Sequence, residues 1–224
     1  CWVDDARLVA LNAMDCADRG GTIRTRTACV GLERQSDHWQ AHLSDGSSVK
    51  ARMVINAAGP FVDEIIGQYR SHAADAHVRL VKGSHIIVPR LHEGNWAYMC
   101  QQEDGRIIFA IPYEEQFTLI GTTEVSVGSP EEGCQISETE VDYLCEAANR
   151  YFLDDIDKQD VVWSYAGVRP LYEDHAANAS AVTRDFVLAM DEEGGAPILS
   201  IFGGKITTYR ELAEAVLERV QAQL

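Results

Sequence analysis

The stretch Phe202-Gly203-Gly204-Lys205-Ile206-Thr207-Thr208-Tyr209-Arg210 decides the fold of this chain. It follows the apolar run Ile198-Leu199-Ser200-Ile201, which predicts a buried strand, and it precedes Glu211 to Leu224, where apolar residues recur at helical spacing. The stretch is therefore predicted to be a strand-to-helix turn. Paired glycines let a ligand approach the backbone, and the N–H groups of the first helical turn favour an anion or an electron-rich ring. Lys205 adds positive charge at the same place.

Six further motifs accompany this turn along the chain. In order they are Val3-Asp4-Asp5-Ala6-Arg7-Leu8, Asn56-Ala57-Ala58-Gly59-Pro60, Lys82-Gly83-Ser84-His85, Gly121-Thr122-Thr123, Gly167-Val168-Arg169-Pro170 and Thr183-Arg184-Asp185. With these motifs the chain resembles the FAD-dependent, aerobic and quinone-linked glycerol-3-phosphate dehydrogenases along almost its whole length. One residue departs from the family pattern, and the change is conservative: the family usually has Trp where this chain has Phe61.

The resemblance implies an α/β fold with an α+β insertion, like that of D-amino-acid oxidase. Residues 1–76 are expected to form part of a FAD/NAD(P)-binding domain, residues 77–191 an antiparallel-sheet substrate domain, and residues 192–224 the return to the FAD-binding domain. No two of the 17 glycines are separated by a single residue, so the chain contains no G-x-G-x-x-G turn for a dinucleotide pyrophosphate. In the resembling family that turn lies further upstream, so we expect the chain to be an internal fragment.

Periodicity and turn chemistry predict the individual elements. Asp4 or Asp5 caps a first helix that Gly20-Gly21 ends, and Pro60 suits the start of a helix over Phe61 to Tyr69. Ser137 and Glu140 form a capping box that opens another helix. The predicted strands are Thr22 to Val30, His38 to Leu43, Val49 to Ala57, Arg79 to Val88, Trp96 to Gln101, Ile107 to Ile111, Phe117 to Gly121, Val161 to Ala166 and Ala181 to Met190.

Composition restricts the classes of partner. A formal net charge of −16 disfavours nucleic acid and simple adsorption to an anionic bilayer. No stretch approaches the roughly 18 apolar residues of a membrane helix, and the N-terminus lacks the features of a signal peptide. Several basic residues nevertheless occur in apolar or glycine-rich contexts, where together they would suit an anionic ligand: Lys82, Arg169, Arg184, Lys205 and Arg210.

The cysteine and histidine patterns favour neither disulfides nor a metal site. The six cysteines include no C-x-x-C pair and no zinc-like spacing, so they are predicted to be small hydrophobic residues of a reducing compartment. His38 and His42 flank Trp39 in a strand-like stretch, where a spacing of four does not create a ligand face. We expect no metal and a cytoplasmic location.

Two arginines and one histidine are the candidate substrate residues. Arg169 and Arg184 could lie on neighbouring strands, where a guanidinium pair matches phosphate or carboxylate oxygens, although each could instead pair with a surface acid. A histidine such as His85 can accept the proton of a hydroxyl group, although a lone histidine in a strand is more often structural. The resemblance implies that these three residues and Lys205 bind glycerol 3-phosphate and that His85 and Arg169 are catalytic.

The predicted cofactor residues lie in two turns. By resemblance to the family they are Asn56, Ala57, Gly59, Gly203, Gly204, Lys205, Thr207 and Thr208. The first turn could alternatively be an ordinary strand-to-helix corner. Because hydride transfer needs close contact, we predict that His85, Arg169 and Arg184 converge on one pocket that meets the Gly203-Gly204-Lys205 turn.

The resemblance implies that the full-length enzyme oxidises sn-glycerol 3-phosphate to dihydroxyacetone phosphate with FAD and passes electrons to quinone. It leaves open a homodimer and peripheral association with the inner membrane. An oxygen-using glycerol-3-phosphate oxidase and an amino-acid or amine oxidase are alternative enzymes. The isolated chain is expected to be inactive and to bind FAD weakly or not at all, and the non-enzymatic alternative is a folded fragment without flavin.

Overall fold

The computed structural model describes residues 3–70, 78–172 and 185–223. These residues form two compact units. The central unit is Arg79–Arg169, and the terminal unit combines Val3–Val78 with the described residues 170–172 and 185–223. No helix among the described ranges is long and apolar enough to cross a membrane.

Four helices and twelve strands lie in the described ranges. The helices are α1 (Asp5–Asp18), α2 (Val62–Tyr69), α3 (Glu138–Asn149) and α4 (Tyr209–Gln221). The strands are β1 (Cys29–Arg34), β2 (Trp39–Leu43), β3 (Ser48–Ala51), β4 (Val54–Asn56), β5 (Val78–Pro89), β6 (Tyr98–Gln101), β7 (Ile107–Tyr113), β8 (Phe117–Gly121), β9 (Val125–Ser126), β10 (Trp163–Tyr172), β11 (Phe186–Asp191) and β12 (Ile198–Gly203).

A six-stranded sheet forms the central unit, in the order β10-β5-β8-β7-β6, with β9 also paired to β5. The pairs β5/β8, β5/β9, β6/β7 and β7/β8 are antiparallel. One face packs on α3 through fully buried side chains such as Ile86, Ile120 and Leu144. The predicted antiparallel sheet is confirmed.

The caps of two helices also follow the prediction. The Asp4 side chain accepts a hydrogen bond from the Arg7 backbone N–H at 3.0 Å and so caps α1. Ser137 and Glu140 form both bonds of the capping box that starts α3. Such caps satisfy N–H groups that have no partner within the helix, and each typically contributes ~1 kcal/mol.

The terminal unit contains two three-stranded sheets. The meander β1-β2-β3 is antiparallel, whereas in the order β11-β12-β4 the pair β12/β4 is parallel. Trp39 is fully buried in the core of this unit, and its indole N–H donates to the Pro197 carbonyl at 2.9 Å. The buried indole therefore ties β2 to the segment that leads into β12.

An ion-pair network around Asp191 strengthens the terminal unit. Arg34 donates to the Asp191 carboxylate at 3.1 Å and to the Ala196 carbonyl at 2.8 Å, and Arg70 donates to the same carboxylate at 2.7 Å. Burial raises the pKa of Asp191, but the hydrogen bonds from Arg34, the Glu193 backbone and Arg70 outweigh it and leave that pKa below its usual range. The carboxylate therefore stays ionised and joins β1 to the end of β11.

Two predicted strands differ from the observed ones in their extent or their partners. Residues 22–28 are irregular, and the strand begins only at Cys29, because this polar segment bonds to its own backbone and to side chains, for example from the Thr27 hydroxyl to the Thr25 carbonyl and from the Ala28 N–H to the Ser44 hydroxyl. Val49 to Ala57 is two strands, because β3 pairs with β2 while β4 leaves that sheet and pairs with β12. The apolar pattern cannot show this change of partner.

The predicted domains 1–76, 77–191 and 192–224 stay a prediction. The two compact units divide the described residues after Val78 and after Arg169, so residues 170–172 and 185–191 belong to the terminal unit. Accordingly, β11 pairs antiparallel with β12 in the terminal unit. The assignment of the two units to cofactor and substrate stays a prediction.

Candidate functional site

Both predicted cofactor turns lie at the same edge of the terminal unit. β4 and β12 are parallel, with Ser200 opposite Asn56, so both turns follow the carboxyl ends of neighbouring strands. Each turn then leads through a short 3-10 segment into a helix, α2 or α4. The carboxyl edge of parallel strands, facing helix N-termini, is where open α/β sheets bind dinucleotides.

The second turn needs its glycines. Gly203 and Gly204 have φ values of +72° and +90°, which side chains with a Cβ rarely adopt. A Cβ on Gly203 would also lie 2.7 Å from the Asp185 carbonyl oxygen. Gly203 is therefore required by the packing of the turn against Asp185, and both glycines are partly exposed at the strand end.

The residues that follow these glycines extend the turn. Lys205 is exposed and precedes the 3-10 segment Ile206–Thr208. Its carbonyl oxygen accepts hydrogen bonds from the Thr208 backbone N–H at 3.1 Å and the Thr208 hydroxyl at 3.3 Å. Thr207 is exposed. Lys205 and Thr207 thus offer their side chains to solvent, whereas Thr208 holds the turn together.

The first turn is organised by one buried amide. Asn56 is 3% exposed; its side-chain amino group donates to the Val62 carbonyl at 3.0 Å and its side-chain oxygen accepts from the Ala58 N–H at 3.4 Å. Ala57 is exposed, and Gly59 has a φ of +56°. Asn56 therefore shapes the turn from within, and Ala57 and Gly59 present its outer surface.

His85 lies in the middle of β5 and is held between two neighbours. Its imidazole stacks on the Tyr165 ring at a centroid distance of 5.0 Å and an interplanar angle of 11°. On the neighbouring strand it pairs with Gly121, where an added Cβ would lie 2.1 Å from the His85 Cδ2 atom. The absence of a side chain at Gly121 thus makes room for the ring.

Arg169 lies on β10 and reaches over β5. Its Nη2 atom donates to the Thr122 hydroxyl at 2.8 Å, and its Nη1 atom lies 3.6 Å from a Glu124 carboxylate oxygen. A Cβ on Gly83 would lie 2.5 Å from Nη2 and 2.6 Å from the Thr122 hydroxyl oxygen. The guanidinium therefore packs on the bare backbone of Gly83.

The structure brings His85 and Arg169 to one face of the central sheet. Gly83 and His85 are two residues apart on β5, and Tyr165 and Arg169 are four apart on β10, so each pair shares a face of its strand. The contacts of Arg169 with Gly83 and of Tyr165 with His85 join the two strands on that face.

The structure does not test whether Arg184 and Lys205 belong to the predicted pocket. Arg184 lies outside the described residues. Lys205 belongs to the terminal unit, whereas His85 and Arg169 belong to the central unit. The convergence of all four on one pocket stays a prediction.

Sequence reasoning missed three neighbours of this site: Thr122, Glu124 and Tyr165. Thr122 was part of the motif Gly121-Thr122-Thr123, and a hydroxyl next to a strand-ending glycine was the available signal. Tyr165 shows in the sequence only as one aromatic residue of a strand. Its stacking on His85 depends on the order of strands in the sheet, which local sequence does not contain.

The described residues contain no metal-binding cluster, and they include a buried thiol with a raised pKa. Residues 3–70, 78–172 and 185–223 contain no group of three His, Cys, Asp or Glu side chains that could hold a metal ion. Burial raises the pKa of the Cys145 thiol to about 11, so this thiol stays protonated at neutral pH. A groove between α3 and the following loop, lined by Asp142, Cys145 and Asp157 among others, contains none of the predicted site residues.

The class that these features define is a dinucleotide-binding α/β protein with an antiparallel-sheet insertion. The particular family follows from its sequence: the FAD dependent oxidoreductases match residues 1–210, and this chain belongs to that family. The predicted fold class is thereby confirmed.

Relatives of known name agree with this membership. The chain is 47% identical over 226 residues to a D-erythritol 1-phosphate dehydrogenase of Brucella abortus and 46% identical over 226 residues to a glycerol-3-phosphate dehydrogenase of Pseudomonas aeruginosa, with 99% of this chain covered in both. The chain spans 45% and 44% of the length of these two relatives.

A solved structure extends the comparison to the fold. The glycerol-3-phosphate dehydrogenase of Bacillus halodurans, determined in complex with FAD, matches 97% of this chain with a TM-score of 0.79 at 27% identity, and 42% of that chain is covered.

Proposed function

We propose that the full-length protein oxidises a polyol phosphate, sn-glycerol 3-phosphate, to dihydroxyacetone phosphate with FAD as the cofactor. The observation that carries the proposal is the placement of the Arg169 guanidinium and the His85 imidazole on the same face of the central sheet. A phosphate-binding cation and a proton acceptor are the two groups that alcohol oxidation of a phosphate ester requires from the protein.

Arg169 is assigned to the substrate phosphate. Its guanidinium is a planar fork that matches phosphate oxygens, and its side chain is 34% exposed, so it is partly desolvated and still accessible to a ligand. The hydrogen bond to Thr122 and the Glu124 carboxylate orient the fork. By family resemblance Arg184 and Lys205 add further positive charge to the substrate site.

His85 is assigned the role of proton acceptor. Its imidazole accepts the proton of the hydroxyl group at C2 while that carbon is oxidised, because a neutral ring nitrogen is a base of suitable strength near neutral pH. Stacking on Tyr165 fixes the plane of the ring, and Gly121 leaves room for it. A fixed ring plane keeps the accepting nitrogen in one direction, which favours proton transfer.

FAD supplies the acceptor of the hydride. The residues assigned to it are Asn56, Ala57, Gly59, Gly203, Gly204, Lys205, Thr207 and Thr208. Support comes from the bare, positive-φ backbone at Gly203 and Gly204 and from the shared carboxyl edge of β4 and β12. Since the chain contains no G-x-G-x-x-G turn, we propose that the isolated 224 residues bind FAD weakly or not at all. A micromolar or tighter dissociation constant in a fluorescence titration would contradict this.

A second substrate has a specific observation in its favour. The relative from Brucella abortus, at 47% identity, is named a D-erythritol 1-phosphate dehydrogenase. Erythritol phosphate has the same phosphate ester as glycerol phosphate, with one more carbon and one more secondary hydroxyl group. Arg169 and His85 could therefore act on both, and only a direct comparison of the two substrates separates them.

Quinone is the proposed electron acceptor of the full-length enzyme. The relatives above are named dehydrogenases rather than oxidases, which favours an acceptor other than oxygen. A homodimer in the cytoplasm with peripheral membrane association is part of the same proposal. Reoxidation of the reduced enzyme by a quinone analogue, compared with consumption of dissolved oxygen, tests the acceptor, and faster reaction with oxygen would favour the oxidase.

The experiment that tests the function compares Arg169→Ala with Arg106→Ala in the full-length enzyme. Arg106 lies in the same unit, is 37% exposed in its side chain, pairs with Asp104 and packs on the Tyr143 ring, so its loss removes a similar charge and leaves the bond from Arg169 to Thr122 in place. Loss of the Arg169 contact should raise KM for glycerol 3-phosphate by a factor equivalent to about 1.5 to 3 kcal/mol. Equal KM values in the two variants would refute the phosphate assignment.

A further inference from the structure

We propose that Glu140 is a positioning residue of the substrate site. From the opposite face of the central sheet, Glu140 holds the two segments that carry His85 and Thr122. This inference rests on the proposed function of those two segments. Glu140 lies in the first turn of α3 and is 6% exposed. In the sequence, Glu140 shows only the capping-box pattern of that helix.

One carboxylate oxygen of Glu140 joins two strand segments. Its Oε1 atom accepts hydrogen bonds from the Ser84 hydroxyl at 2.8 Å and from the Thr123 hydroxyl at 2.7 Å. The Thr123 hydroxyl oxygen in turn accepts from the Ser84 backbone N–H at 3.0 Å. Ser84 precedes His85 in β5, and Thr123 follows Thr122, the residue that Arg169 contacts. A single atom therefore fixes the neighbours of both functional segments.

The second carboxylate oxygen anchors this arrangement to the helix. Its Oε2 atom accepts from the Ser137 N–H at 2.9 Å, from the Ser137 hydroxyl at 2.8 Å and from the Lys82 ammonium at 2.7 Å. Lys82 also donates to the Gln135 carbonyl at 3.1 Å. The side chains of Lys82 and Glu140 are 9% and 7% exposed, so this ion pair is buried.

Strand alternation explains why this network lies behind the site rather than in it. Lys82 and Ser84 point to the face of β5 that packs on α3, whereas Gly83 and His85 point to the other face. The network therefore contacts the site through the backbone. Any shift of Ser84 moves the peptide that carries His85.

The carboxylate must be ionised to make all five of these bonds. Burial raises the pKa of Glu140, but hydrogen bonds from Lys82, Thr123 and Ser137 outweigh it and lower the pKa to about 2. A glutamine here would keep the volume but carry no charge, so the buried Lys82 ammonium would lose its counter-charge. In either orientation of the amide, the amino group cannot accept the hydrogen bonds that the oxygen it replaces accepts. Glu140→Gln therefore breaks the anchoring without creating a cavity.

The competing explanation is that Glu140 only caps α3. Ser137→Ala separates the two roles, since it removes the cap residue and leaves the bonds from Ser84, Thr123 and Lys82 to the carboxylate. Thr123→Val has the reverse effect, because it removes a bond between strand and carboxylate and leaves the cap. Leu144→Ala, in the buried face of α3, is a control for loss of stability alone.

The test measures KM and kcat per bound flavin for glycerol 3-phosphate in the full-length holoenzyme, well below the unfolding temperature of each variant. Loss of stability alone lowers the active fraction and leaves KM unchanged. We expect Glu140→Gln and Thr123→Val each to raise KM by about tenfold, the equivalent of one hydrogen bond to a charged group. Ser137→Ala and Leu144→Ala should unfold at lower temperature with KM within about twofold of the wild type.

An unchanged KM in Glu140→Gln, or an equal rise in Ser137→Ala, would overturn the inference. If Glu140→Gln does not accumulate as folded protein, Thr123→Val decides alone, and its unchanged KM has the same meaning. A wild-type enzyme that no polyol phosphate reduces would instead refute the proposed function. The same variants are then compared with the substrate that does reduce the flavin, and that comparison decides the role of Glu140 separately.

Discussion

Gly83 offers the sharpest perturbation of the proposed substrate site, because an added methyl group there would act directly on the contact between Arg169 and Thr122. The Cβ of Gly83→Ala would lie 2.5 Å from the Nη2 atom of Arg169 and 2.6 Å from the Thr122 hydroxyl oxygen. Both distances are well below van der Waals contact. Because the guanidinium is the end of a flexible side chain, it will move rather than force the sheet apart. The hydrogen bond of 2.8 Å from Arg169 to Thr122 is then lost.

The size of the effect follows from that bond. A hydrogen bond to a charged group contributes about 1.5 to 3 kcal/mol, which corresponds to a rise in KM of about 10-fold to 150-fold if the displaced guanidinium no longer meets the phosphate. The folded state should lose little, since the guanidinium is partly exposed and can return to water. A large rise in KM with a nearly unchanged unfolding temperature is therefore the expected result.

The assay is steady-state oxidation of glycerol 3-phosphate by the full-length enzyme, with thermal unfolding followed in parallel. The matched control is Gly67→Ala in α2, where an added Cβ meets nothing within 4 Å. That substitution should leave KM unchanged and stabilise the helix by roughly 0.5 to 1 kcal/mol. If Gly83→Ala has the KM of the wild type, the contact between Arg169 and the substrate phosphate is refuted.

Three further results are expected. Gly121→Ala would place a Cβ 2.1 Å from the Cδ2 atom of His85. We expect this variant of the full-length enzyme to have a kcat lowered by about 100-fold and an unchanged affinity for substrate. A normal kcat would exclude the base role of His85. Arg34→Ala removes one of the two arginines that pair with the buried Asp191 carboxylate. It should lower the free energy of unfolding of this chain in urea by about 3 kcal/mol, whereas Arg24→Ala, at the surface, should lower it by at most about 1 kcal/mol. The pKa of Glu140 is lowered from 4.5 to about 2, so its stabilisation of about 3 kcal/mol is present above pH 4.5 and is lost as the pH falls towards 2; unfolding of Glu140→Gln should lack this pH dependence.

Local sequence was sufficient for elements whose signals are local. The caps of α1 and α3 rest on residues within one helical turn, and the glycine turn after β12 rests on paired residues that tolerate positive φ. For such features the energetic reason and the sequence pattern involve the same few neighbours, so both helix starts and the strand-to-helix turn were predicted.

Features that depend on strand partners could not be predicted in the same way. The sequence shows Tyr165 and His85 as separate strand residues 80 positions apart, and only the order β10-β5 makes them stack. Glu140 likewise satisfies a local capping pattern, which concealed its bonds to Ser84 and Thr123. One side chain can serve two contacts, and a sequence pattern shows only the nearer one.

The most direct test of the account is anaerobic reduction of the full-length protein's flavin, followed by its visible absorbance. We predict rapid loss of absorbance with glycerol 3-phosphate or D-erythritol 1-phosphate and no change with glycine or sarcosine. In Arg169→Ala, the substrate concentration needed to reduce the flavin should rise by about tenfold or more. Reduction by an amine alone, or a response of Arg169→Ala equal to that of the wild type, would contradict the assignment of a polyol-phosphate site to Arg169 and His85.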